Sequence, residues 1–219
     1  MASVVVDPKA VRAFPSQAAF EAWLAKNHAS KAEVWIKIYK KGSGKPSIDA
    51  SQAIDSCLCW GWIDAIRKAL DAEAFLQRYT PRGKKSRWSQ INRERVANLL
   101  KAGRMTAHGQ AHVDAAKADG RWDAAYPSPK AIEVPAEFLK AVEQVPKARA
   151  VFRELSRQNT YAIAYRLHHI KTPAGRARFI ERMVEQLSRG VLPHPQAPTL
   201  AKKPKPKPKA AVKKPAKKR

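Results

Sequence analysis

The chain has 219 residues, 44% of them hydrophobic, which is enough for one large or two small domains with cores of their own. Its formal charge is +25; residues 201–219 hold ten Lys or Arg and no acid, so the rest of the chain still carries +15. A field of this sign favours polyanions such as nucleic acid, anionic lipid or anionic polysaccharide, and says nothing about fold. Cys57 and Cys59 stand two apart, unsuited to an ordinary disulfide, so a reduced, cytoplasmic chain is expected. The amino terminus offers only a three-valine run, and no segment approaches the roughly 18 apolar residues of a spanning helix, so neither export nor a transmembrane segment is expected.

In chain order, Ser16 caps a helical pattern with Phe20, Trp23 and Leu24 on one face and Phe14 as a staple before it; the helix should end near His28. Val34, Ile36 and Ile38 then alternate with Trp35, Lys37 and Tyr39, the period of a half-buried strand. The GSGKP that follows lacks P-loop spacing and reads as a turn. Asp49 with Gln52 forms a capping-box signal for a helix carrying Ala53, Ile54, Cys57 and Leu58, with both cysteines inert at its end.

The densest stretch runs from Leu58 to Asn92. Gly61 turns the chain out of the helix, and WIDAIRKAL and AFLQRYT around Asp71 predict an antiparallel hairpin. Centred on Ala72, it sets Asp64 opposite Thr80 and diagonal to Arg78, so Asp64 is either in a structural ion pair or a general base or ligand acceptor. From Gln77 through Arg93 there are six basic residues and no acid. Arg82, Lys84, Lys85 and Arg87 crowd a loop running into a helix that starts near Ser89, and free N–H groups there, up to Asn92, could join the side chains on one anion. The alternative is a solvated basic loop with Trp88 in the core.

Thr106 caps a further helix to about Asp119, before Gly120. His108 and His112 share its face at metal-ligand spacing, but no third ligand is evident and the intervening glutamate of a metalloprotease is absent; no metal and no cofactor is expected. His168 and His169 point to different helix faces. Past Pro127, Pro129 and Pro135 the pattern is wholly helical, and the last helix is marked by Thr172, Pro173 and Gly190. Arg176, Arg178 and Arg182 ride on it, by default on a solvated face, although arginine near its start opposes the helix dipole and suggests an anionic partner. The Lys-Pro repeats after Val191 cannot build a core and read as a disordered, polyproline-like tail. Lys202, Lys203, Lys205, Lys207, Lys209, Lys213, Lys214, Lys217, Lys218 and Arg219 would bind nucleic acid there by counterion release.

The motifs LCWGWID, YTPRGKKSRWSQIN, LKAGRMTAHG, ADGRWDAAY and HHIKTPAGRARFIERMVEQL together resemble the bacterial bacteriocin-protection, YdeI/OmpD-associated (OmdA) family, over roughly residues 14–190. The resemblance implies an α+β front domain followed by helices, and brings no established reaction or catalytic residues. The family's last helix usually reads Thr-Arg-Ala-Arg-Arg-Ile; this chain has Gly175 and Phe179 at the first and fifth of those positions.

The expected fold is therefore α+β: a small antiparallel sheet with flanking helices, an all-helical carboxyl-terminal domain and a disordered basic tail. The expected organisation is an extension (1–13), the α+β domain (14–126), a linker (127–134), the helical family domain (135–190) and the tail (191–219). Two functions compete. One is a non-enzymatic cytoplasmic stress or envelope-protection protein that associates non-specifically with polyanions, nucleic acid foremost. The other is a ligand-binding protein or enzyme with an anion pocket built from Trp62, Asp64, Arg67, Arg78 and Trp88 beside Ser89 and Asn92. A protein partner, if the chain has one, is expected at the helical domain.

Overall fold

A computed structural model describes residues 5–196, in two compact units divided between Ile132 and Glu133. The first unit carries a four-stranded sheet in the order β1-β2-β4-β3, with β1 parallel to β2 and the other pairs antiparallel. Its strands are β1 (Val11–Arg12), β2 (Val34–Tyr39), β3 (Trp62–Ala69) and β4 (Ala74–Pro81). The two-residue β1 lies in the segment read as an extension and is too short to leave a periodic signal.

Helix α1 (Gln17–Asn27) starts where the Ser16 hydroxyl accepts from the Ala19 N–H, and Phe20 and Leu24 bury one face of it. Phe14 packs on Phe20 with ring centroids 5.0 Å apart. Helix α2 (Ala50–Cys59) begins with the full Asp49/Gln52 capping box. These helices cover one sheet face with Val34, Ile36, Ile38, Trp62 and Tyr79. Strand β2 is more deeply buried than its alternation predicts. It is an inner strand of the sheet, and Trp35 is as fully enclosed as its neighbours, its indole N–H donating to Glu33 Oε1.

The hairpin register differs from the expected one. Asp64 faces Tyr79 and Ile63 faces Thr80, and the ladder slips between Asp64 and Arg67. The buried Gln77 side chain donates to the carbonyls of Ala65 and Ile66 at that slip, absorbing acceptors a regular ladder would have used. Helices α3 (Gln90–Lys101) and α4 (Ala107–Ala118) close a second core on α2 with Leu58, Cys59, Trp88, Val96, Leu99 and Val113. A Cβ at Gly109 would collide with the backbone carbonyls of Leu58 and Cys59, so only glycine lets α4 sit this close to the end of α2.

The second unit contains α5 (Ala136–Glu143), α6 (Pro146–Arg153), α7 (Arg157–His169) and α8 (Pro173–Ser188) around Phe138, Val142, Ile163, Leu167, Phe179 and Leu187. The buried Asn159 accepts from the His194 N–H and donates to His194 O and Gln196 Oε1. Residues 191–196, assigned by composition to the tail, therefore belong to this unit; the ten tail cations lie outside the described residues. Among the described residues no helix is long and apolar enough to cross a membrane.

Candidate nucleic-acid interface

At the end of β4 the Arg82 N–H donates to Gly61 O, joining the hairpin's exit to the turn that begins β3. Arg82 is only 3% exposed, and its guanidinium carbon lies 3.9 Å from the Trp88 ring centroid. Nη1 donates to the Arg87 carbonyl at 3.1 Å, whereas Nη2 is buried with no partner among the described residues. Burial drives the guanidinium's pKa down to about 10, opposed most by the nearby charge of Asp64. From the other side Arg121, which pairs with Asp119 at 2.7 Å, donates Nη1 to the Ser86 carbonyl at 3.1 Å. The Ser86 N–H closes a turn onto Gly83 O. The loop is thus clamped by two arginines through its own carbonyls, and it turns Lys84, Lys85 and Arg87 outward.

Two expectations for this loop are corrected by these contacts. Arg82 is not on the exposed rim; stacking on Trp88 and the Arg87 carbonyl draw it inside. The helix start is not an open anion cradle either: Gln90 N donates to Tyr126 O, Asn92 N to Ser89 Oγ and Arg93 N to Ser89 O. The Asn92 N–H is thus occupied by the helix's own cap, with the Ser89 hydroxyl as its acceptor, and the Gln90 N–H by the bridge to Tyr126.

The five residues of the anticipated pocket do not converge. Trp62 lies in the sheet core with its indole N–H donating to His28 O, and Trp88 lies in the α2–α3–α4 core, edge-on to Trp122. Arg78 pairs with Glu33, Nε to Oε2 at 2.6 Å, rather than with Asp64. Arg67 donates to Gln77 Oε1 and lies over Phe75. Asp64 is exposed, and its charge is felt by Arg82, Tyr79 and Cys57.

A different cavity, of about 300 Å³, opens beside Trp62, lined by His28, Trp60, Gly61, Pro81, His108 and His112 among others. Gly61, at φ +71°, carries the α2–β3 turn, and a Cβ there would strike the His112 ring. The His28 and His108 ring centroids are 4.0 Å apart, and Trp60 lies nearly parallel to His108 at 16° and 5.9 Å. His112 is held below its ordinary pKa by burial, then by the charges of Arg82 and Arg121. The spacing of His108 and His112 was visible in the sequence. His28, eighty residues away, carried no signal beyond standing at the end of α1, and Arg121 none beyond following Gly120. Among the described residues no group of three or more His, Cys, Asp or Glu is placed to hold a metal ion. Cys57 and Cys59 are both buried thiols, and burial pushes Cys59 up to about 11.

In the helical unit Arg176 needs no external anion: it pairs with Glu137 and donates to the Leu167 carbonyl at 2.6 Å, near the end of α7. The opposition to the dipole of its own helix is offset by these two acceptors.

The arrangement defines a basic α+β unit, which bears the loop and the cavity, in a chain with a separate all-helical unit. Residues 12–112 match a family model described as Domain of unknown function (DUF8412). Residues 131–190 match the model described as Bacteriocin-protection, YdeI or OmpD-Associated. The family match covers the helical segment, whereas the resemblance read from the motifs extended to residue 14. No curated protein and no solved structure matches the chain.

Proposed function

We propose that the protein is a non-enzymatic, cytoplasmic stress or envelope-protection protein whose basic body and Lys/Pro-rich tail hold polyanions, nucleic acid foremost, without sequence readout. The observation that carries this reading is the loop from Gly83 to Arg87. It is braced by Arg82 and Arg121, and it presents three basic side chains on a chain of net charge +25. A braced loop loses little conformational freedom on meeting a phosphate backbone, and each neutralised phosphate releases counterions. The tail adds ten positive charges to the same field.

The test is DNA binding by fluorescence anisotropy over a range of salt concentrations. The full chain should lose affinity steeply and linearly in log–log form, and a chain ending at Gln196 should bind more weakly with a flatter slope. Equal, salt-insensitive binding by the two would overturn the proposal. A ligand-binding or catalytic pocket is the second reading. It is favoured by the cavity beside Trp62, which keeps one of the five residues first considered for it.

A further inference from the structure

The cavity joins three features not explained by the packing of the first unit. It is walled by indole and imidazole rings, with neither a carboxylate nor a Lys or Arg among its lining residues. His28 Nδ1 lies 3.0 Å from Leu24 O. A carbonyl only accepts, so Nδ1 carries a proton, a tautomer in which Nε2 is the acceptor. Nε2 is buried without a partner. Pro81, one wall of the cavity, is followed directly by Arg82 and the basic loop.

These features exclude two ligand classes. A metal ion needs three or four protein ligands, and among the described residues no group of three or more His, Cys, Asp or Glu is placed to hold one. A quaternary ammonium suits aromatic walls, but the body around this cavity is strongly positive and no acid lines it.

We infer that the cavity takes an unstacked base of a single-stranded nucleic acid, with the neighbouring basic loop holding the phosphates; this rests on the polyanion reading above. The exposed His108 swings from His28, which uncovers Nε2 as an acceptor for an N–H on the base edge. The base lies on the Trp60 face. Stacking of this kind tolerates every base because each has a π-face, so it adds affinity without sequence readout. His112, kept neutral and packed on Gly61, leaves the floor uncharged, which suits a nucleobase better than a second phosphate. The cavity volume of about 300 Å³ sits at the small end of ligand sites, the scale of one flat heterocycle rather than a drug-sized molecule.

The experiment compares the full chain's affinity for a short single-stranded oligonucleotide, for the same strand made of abasic residues, and for the matching duplex, at one salt concentration. The base-bearing strand should bind on the order of tenfold tighter than the abasic one. His28→Phe, which removes the Nε2 acceptor, and, separately, Trp60→Leu should reduce that ratio toward one, with folding of each variant checked by circular dichroism. Equal binding of base-bearing and abasic strands would overturn the inference and leave the polyanion reading standing. A base-dependent ratio that survives in a folded Trp60→Leu variant would place the base elsewhere and overturn it too. Failure to bind any of the three would remove both readings.

Discussion

The Arg82 guanidinium lies over Trp88 with its carbon 3.9 Å from the ring centroid and one nitrogen bonded to the Arg87 carbonyl. A residue that composition places among the solvated charges of a basic loop is therefore the post on which the loop stands. Arg82→Ala should destabilise the first unit by about 2 kcal/mol or more, from the lost charged hydrogen bond and the lost cation–π contact. Arg82→Lys should recover only part, since an ammonium cannot reproduce the planar stack. Chemical denaturation of the full chain checks both; an Arg82→Ala variant as stable as the parent would contradict the post.

Close approach of α4 to the end of α2 leads to a second expectation. Gly109→Ala should cost roughly 1–3 kcal/mol, because the atoms its Cβ would meet are backbone carbonyls that cannot rotate aside. Gly103→Ala separates this from a general dislike of lost glycines: that position has positive φ but open space around it. Thermal melts should show Gly103→Ala destabilised by backbone strain alone, and Gly109→Ala by displacement of α4, visible as a changed Trp60 environment in fluorescence.

The third expectation concerns pH. His112 has its folded pKa lowered from 6.5 by burial and by Arg82 and Arg121, so the unfolded chain takes up the proton first. Stability from this residue is intact above pH 6.5, and it is lost as pH falls below that value toward the lowered folded pKa. Melting temperature should therefore decline on acidification within this window before the carboxylates titrate. His112→Gln should decline less. A variant with the same pH profile as the parent would show that His112 is not the group responsible.

What could be read from the sequence was mostly local. Ser16, Asp49 with Gln52, Ser89, Thr106 and Thr172 all cap the helices their spacing predicts, because a cap is decided within four residues. The hairpin existed where alternation placed it, but its register did not follow from strand lengths, since Gln77 fixes a bulge that no alternation encodes. Charge could be counted and not located: Arg82 went inside, Arg78 chose Glu33, and Arg176 chose Glu137. The cavity was least legible, because it is assembled from the end of α1, the α2–β3 turn, the end of β4 and α4, and only the His108/His112 spacing lies within one element.

The central claim is that the braced loop between Gly83 and Arg87 contacts phosphates, and the salt dependence of DNA binding by the full chain tests it most directly. Replacing Lys84 and Lys85 together with alanine leaves both arginine braces in place. If each lysine neutralises one phosphate, the slope of log K against log salt should flatten by about 2, at roughly 0.9 per contact on duplex DNA, equally for any sequence. An unchanged slope and affinity in the folded double variant would contradict the account.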